Sequence, residues 1–115
     1  PVLVGNPDTV APRENGFSAE PGHFAHEVAD LTDVEPEFFG KPFANIYDLA
    51  QTRLADIPAG RILAVGDTLH TDILGGAGAG FATLLTTGHG LLSGLDPVRA
   101  IAETGISPDW IGPSL

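Results

Sequence analysis

The sequence predicts an α/β fold in which parallel strands alternate with helices. Three observations carry the prediction. From Phe38 onward, short apolar runs and stretches of helical period follow one another as strand, helix, strand, helix, strand, helix, strand. That alternation fits parallel strands joined by right-handed crossovers. The apolar run Ile62 to Val65 ends at Gly66 and is followed at once by Asp67, with a second acid, Asp72, where a helix begins. A buried strand running into a polar loop and then a helix is the βα corner of such a layer, where ligands bind at the carboxyl ends of the strands. Finally, hydrophobic residues make up 43% of 115 residues, enough to bury a core.

The elements are expected in this order. Pro1 to Val4 reads as a strand ending in Gly5-Asn6-Pro7-Asp8. Residues 9–22 hold Pro12, Gly16, Pro21 and Gly22 without a period and read as a loop with a polar tip at Arg13-Glu14-Asn15. A helix is predicted from His23 to Leu31, with Phe24, Val28 and Leu31 on one face. Pro36 to Phe39 is a short strand ending at Gly40, and Pro42 suits the first turn of the next helix. That helix, Phe43 to Ala55, places Phe43, Ile46, Tyr47, Ala50 and Leu54 on one stripe. The strand Ile62 to Val65 follows, then a helix from Ile73 to Ala79 with Thr71 as a good N-cap. Gly75, Gly76 and Gly78 lie within this helix, each weakening it by roughly 1 kcal/mol relative to Ala. Such a helix must gain from close packing on the sheet, and Gly80 suits its left-handed end. Ala82 to Thr86 is a strand, Gly88-His89-Gly90 a flexible loop, Pro97 to Glu103 a short helix and Asp109 to Ile111 a last strand. The composition shifts near Gly40, from a loop-rich unit to the regular alternation.

Composition removes several classes of function. The formal net charge is -10, which argues against a nucleic-acid groove and against an anionic membrane surface. There is no Cys, so disulfides, thiol catalysis and Cys-type zinc sites are excluded. No apolar run approaches the roughly 20 residues of a transmembrane helix, and no signal-peptide pattern is present. A small phosphorylated substrate stays compatible, because a metal and a single Lys can supply local positive charge.

Few residues are placed for chemistry. Asp67 reads either as a loop carboxylate hydrogen-bonded to backbone N–H groups or as a ligand of a hard cation such as Mg²⁺, which takes one or two protein carboxylates. Asp72 alone reads as a first-turn acid favoured by the helix dipole, and the pair is better evidence than either residue. Lys41, one of five basic residues, falls at a strand-to-helix junction on the same edge as Asp67 if the sheet is parallel. There it could neutralise carboxylates and bind a phosphoryl oxygen. Asn6 and Asp8 have a bland reading as turn formers. His23, His26 and His70 show no metal-ligand spacing, His89 between two glycines reads as a loop residue rather than a ligand, and no phosphate-binding glycine loop is present.

The motifs taken together resemble a known family. Gly-Asn-Pro-Asp at 5–8, Gly40-Lys41-Pro42, Val-Gly-Asp-Thr-Leu-His-Thr-Asp-Ile at 65–73, Gly-Ala-Gly-Ala-Gly-Phe at 76–81 and Thr-Leu-Leu-Thr-Thr-Gly at 83–88 occur in that order. This resembles the carboxyl-terminal part of haloacid-dehalogenase (HAD) superfamily phosphatases of class IIA, the NagD-like and p-nitrophenyl-phosphatase-like group. The resemblance implies a Rossmann-like core with an inserted α/β cap. Residues 1–39 would then be the end of the cap and residues 40–115 the second half of the core. It assigns Lys41 to contact with the nucleophile and the phosphoryl group, Asp67 to direct Mg²⁺ binding and Asp72 to orienting the metal's surroundings. Asn6 and Asp8 would help shape the substrate entrance.

The family's nucleophile is an aspartate in an Asp-x-Asp motif, and this sequence has none. The expectation is therefore a piece of a longer Mg²⁺-dependent phosphatase that hydrolyses a small phosphorylated metabolite through an aspartyl-phosphate and is inactive as this chain alone. The rival is a non-catalytic HAD-like module for binding or regulation. A flavodoxin-like or receiver-like domain is a second rival, but residues 9–22 do not supply its early acidic pocket. The expected location is cytoplasmic. An incomplete sheet would expose an edge and an apolar face, which leaves a homo-oligomer open.

Overall fold

The computed structural model describes residues 1–114. The strands are β1 (Leu3–Val4), β2 (Val10–Arg13), β3 (Gly16–Ala19), β4 (Glu37–Phe38), β5 (Leu63–Gly66), β6 (Ala82–Thr86) and β7 (Trp110–Gly112). The α-helices are α1 (Pro21–Leu31), α2 (Ala44–Arg53), α3 (Leu74–Gly78) and α4 (Pro97–Thr104). A π-turn, Leu69–Ile73, leads into α3.

The parallel layer is present, in the order β5-β6-β7. Leu63 pairs with Ala82 and Gly66 with Leu85, so the carboxyl ends of β5 and β6 lie side by side. Thr83 locks β6 to the start of β7: its N–H and hydroxyl donate to Asp109 Oδ2 at 2.8 and 3.0 Å, and the Asp109 N–H donates back to the hydroxyl at 3.0 Å. One face of the sheet carries the core. Leu69, Ile73, Leu85 and Leu92 are buried together, with Ala100, Ile101 and Ile106 packed against them. Full burial of an aliphatic side chain such as Ile73 or Leu85 stabilises by roughly 1.5–3 kcal/mol. Helix α4 closes this side. Asp96 caps it by accepting from the Val98 N–H at 2.9 Å, Pro97 opens it, and Gly105 ends it at φ 71°.

The glycine-rich helix packs as its sequence requires. A methyl group on Gly76 would overlap Ala64 and crowd Thr83, and one on Gly75 would overlap the Tyr47 ring. The glycines therefore allow α3 to approach both the sheet and α2.

Several expectations are corrected. Residues 9–22 are not a loop: β2 and β3 form an antiparallel hairpin with Pro12 opposite Phe17, and the chain then enters α1 at Pro21. Their period-2 pattern is lost because both strands lie largely in solvent. Glu20, just after β3, accepts from Arg13 of the turn end at 2.7 Å and from the Ser18 hydroxyl at 2.6 Å, which braces the hairpin along its length. Strand β4 does not join the main layer. It pairs in parallel with β1, and the Val2 and Val4 carbonyls accept from the Glu37 N–H (2.9 Å) and the Phe39 N–H (2.8 Å). Pro42 lies before α2, in a turn closed by the Phe43 N–H on Gly40 O at 2.8 Å, and not in the helix's first turn. Thr71 is not an N-cap; it lies inside the π-turn, which Thr68 precedes.

The largest correction concerns burial. Strand β5 was expected to be buried, yet Leu63 is 45% and Val65 36% exposed, because β5 is the edge of the sheet. The stripe of α2 buries only Tyr47, and α1 leaves Phe24, Val28 and Leu31 exposed while burying Gly22 and Ala25.

Candidate active site

The site begins where β5 stops. After Gly66 the chain turns through Asp67 and Thr68 into the π-turn, whose extra residue matters: Thr68 O accepts from both the Asp72 N–H (3.0 Å) and the Ile73 N–H (3.3 Å). This winding returns the Asp72 side chain over the end of β5. A Cβ on Gly66 would overlap the Asp72 carboxyl group, so glycine at this strand end makes room for the acid.

Asp72 is only 7% exposed and both its oxygens are engaged. Oδ1 accepts from Lys41 Nζ at 2.5 Å, and Oδ2 accepts from the Thr68 N–H at 3.3 Å. Lys41 reaches it from the turn between β4 and α2. Gly40 there has φ 101°, and the Lys41–Pro42 peptide is cis. Asn45 holds the turn by accepting from the Gly40 N–H at 3.1 Å and donating to Phe38 O at 2.9 Å.

Asp67 is fixed differently. Its Oδ2 accepts from the Leu91 N–H at 2.9 Å, and Oδ1 has only a long contact with the Thr68 hydroxyl at 3.5 Å. Gly90, at φ 75°, has no room for a side chain against this carboxylate. Its small size lets the Leu91 N–H come within reach. Asp8 enters from the loop after β1. Its N–H donates to Asn6 Oδ1 at 3.1 Å, so Asn6 closes a tight turn.

These segments enclose a polar cleft of about 170 Å³ lined by Asp8, Lys41, Asp67, Thr68, Thr71 and Asp72. Of the residues singled out from the sequence, Asp8, Lys41, Asp67 and Asp72 thus meet in one place. Asn6 does not line the cleft; it lies beside a separate apolar cavity between β1 and α1. None of the four histidines lines the cleft.

Burial pulls the Lys41 ammonium toward a lower pKa, but the hydrogen bond and charge of Asp72, with Asp8 and Tyr47 adding, outweigh it and hold the pKa above 10.5. Tyr47 is raised above 10.0, first by burial and then by the Asp72 charge, with Lys41 opposing. Its hydroxyl donates to Thr71 O at 3.1 Å and so braces the π-turn.

The donor set suits a hard cation. Asp67 offers one oxygen without a strong partner, and Asp72 lies beside it with both oxygens committed. Among the described residues, no three His, Asp or Glu side chains converge as a metal cage. One or two carboxylates with water or phosphate oxygens making up the rest is the pattern Mg²⁺ favours, whereas an all-protein cage is not.

Sequence reasoning missed the Leu91 N–H and the bracing role of Tyr47. A backbone donor has no side-chain signature, and the Gly-His-Gly run at 88–90 reads from the sequence only as a flexible loop. Tyr47 reads as one more apolar residue of a helical stripe.

Comparison with known proteins agrees with this architecture. The profile of the HAD-hydrolase-like family matches residues 38–115. Glycerol-3-phosphate phosphatase of Gallus gallus is 40% identical over 119 aligned positions, covering 95% of this chain and 36% of that protein. Ribonucleotide monophosphatase NagD of Escherichia coli (strain K12) is 32% identical over 113, covering 98% of this chain and 42% of that protein. The p-nitrophenyl phosphatase structure from Archaeoglobus fulgidus superposes with a TM-score of 0.85 at 27% identity, over 97% of this chain and 42% of that one. The chain therefore spans less than half the length of these relatives. With the parallel layer, the order of the motifs and the family profile in agreement, the chain belongs to the HAD-hydrolase-like family, in its class IIA, NagD-like group.

Proposed function

We propose that this chain is the carboxyl-terminal part of a Mg²⁺-dependent phosphatase that hydrolyses small phosphate monoesters through an aspartyl-phosphate. The observation that carries the reading is the cleft where Lys41, Asp67 and Asp72 meet at the strand end. The relatives named as phosphatases support the reaction class.

In this reading residues 1–39 end a cap and residues 40–115 form the second half of the core. The family profile beginning at residue 38, and the separation of the β1–β4 and β2–β3 pairs from the main sheet, support that division. The nucleophilic aspartate comes from polypeptide outside these residues.

Asp67 would hold the cation through its uncommitted oxygen. Bound Mg²⁺ supplies charge stabilisation to the phosphoryl oxygens during transfer. Asp72 orients: one oxygen fixes the Lys41 ammonium and the other fixes the backbone of the Asp67–Thr68 corner. Lys41 binds a phosphoryl oxygen, and its raised pKa keeps it charged throughout the neutral range. Asp8, held by the Asn6 turn, faces the substrate side of the cleft. The substrate is a small phosphorylated metabolite and the setting cytoplasmic; among the described residues no helix is long and apolar enough to cross a membrane.

The test is Asp67→Asn in the full-length protein. Hydrolysis of p-nitrophenyl phosphate in Mg²⁺ should fall on the order of a thousandfold with the melting temperature unchanged. Undiminished turnover would remove Asp67 from the mechanism.

A further inference from the structure

Two side chains from the first turn of α2 hold the two backbone segments that carry Lys41 and Asp72. Asn45 clasps the segment of Lys41: its Oδ1 accepts from the Gly40 N–H at 3.1 Å, and its Nδ2 donates to Phe38 O at 2.9 Å. Tyr47 clasps the segment of Asp72: its hydroxyl donates to Thr71 O at 3.1 Å. Packing alone asks only for a ring at position 47. That ring is buried, meets Phe81 edge-on with centroids 5.9 Å apart, and leaves no room for a methyl group on Gly75. A phenylalanine ring would fill the same space. Thr71 O does not need the hydroxyl either, since the Leu74 N–H already donates to it. The bond therefore adds a fixed spacing between α2 and the π-turn. Spacing matters here because the lysine stem is flexible and half-exposed, and among the described residues its ammonium has Asp72 as its one hydrogen-bond partner.

We propose that Asn45 and Tyr47 are positioning residues: from one turn of α2 they set the spacing of the two backbone segments, and so the point at which Lys41 Nζ meets the phosphoryl group. The inference rests on the phosphatase reading of the cleft. Neither side chain lines the cleft among the described residues, so their effect passes through Lys41 and Asp72. A misplacement of roughly 1 Å at a reacting centre can cost on the order of a hundredfold in rate, and the loss of one of two restraints should cost part of that.

The experiment uses the full-length protein with Mg²⁺ and p-nitrophenyl phosphate. Lys41→Met should lower kcat/KM about a hundredfold. Tyr47→Phe and Asn45→Ala should each lower it about tenfold while the protein still melts cooperatively. In the Lys41→Met background the same two substitutions should change the residual rate by less than about twofold, because the group they place is gone. Substitutions that merely loosened the fold would lower both backgrounds alike. The second readout is chemical. Lys41 is the only lysine in the sequence, so peptide mass identifies its acylation. Both variants should acylate it about threefold faster than the wild type, with weaker protection by inorganic phosphate. Where the Lys41→Met rate falls below detection, this labelling decides. Wild-type rates in both variants, wild-type labelling, or an equal tenfold loss with and without Lys41 overturns the inference and leaves the phosphatase reading standing. Absence of hydrolysis by the wild type, or undiminished turnover in Lys41→Met, overturns that reading and the inference with it.

Discussion

The two sides of β5 differ sharply. On the side of β6, Ile73 and Leu85 have no exposed surface and Thr83 has 1%, with α4 and the Gly90–Leu92 turn closing over the core. On the other side, β5 has no neighbouring strand among the described residues. Ile46 and Leu54 of α2, with Leu63 and Val65 of β5, line a groove of about 250 Å³ that remains open. Helix α1 repeats the pattern with Phe24 and Val28 over β1. Both sides are rich in aliphatic residues. Only one is covered among the described residues, so hydrophobic pattern states a demand for burial and contact decides whether it is met. The cleft lies along this border: Asp67 is held from the packed side through Leu91, while Lys41 comes from the turn that leads into α2.

The contrast can be tested in order of expected effect. Leu85→Ala removes a fully buried side chain and should destabilise the chain by about 2–5 kcal/mol. Leu31→Ala, at 77% exposure, should change stability by less than about 0.5 kcal/mol. Urea unfolding of both variants measures the difference, and equal losses would mean that the α1 face is covered in solution.

Gly66→Ala tests the border itself. The added methyl displaces the Asp72 carboxyl group and should cost about 1–3 kcal/mol. It should also free Lys41, seen as faster acylation of that amine; unchanged reactivity would show that Asp72 does not restrain it.

The smallest effect is expected in alkali. Lys41 has its folded pKa raised above 10.5, so the stability it contributes is complete below that pH and is lost as pH rises through the higher folded value. Tyr47 acts in the same direction, since the fold favours its neutral phenol beyond 10.0. The Lys41 side chain is 50% exposed, so solvent screening keeps its part small. Unfolding measured between pH 9 and pH 11.5 should show a decline that Lys41→Met flattens. A stability that rises over that range would reverse the assignment.

Much of the site was legible in the chain. Asp67 and Asp72 flank a strand end and a helix start, and local rules place such acids without knowledge of distant contacts. Lys41 was legible only as a residue at a junction. Its meeting with Asp72, 31 positions away, depends on the Gly40 turn and on the register of the sheet. The hairpin at residues 10–19 escaped notice because neither strand buries a face, which removes the alternation by which strands are read.

The sequence by itself determined the α/β alternation, the family, the glycines that let α3 approach the sheet and the acids of the β5 corner. These follow from periodicity, local backbone preference and motif order, all of them short-range properties. Only the tertiary structure decided that β4 pairs with β1, that β5 is an edge strand, and that the Leu91 N–H holds Asp67. Those outcomes depend on which surfaces meet across long separations, and no local pattern encodes the partner of a strand edge or the target of a backbone donor.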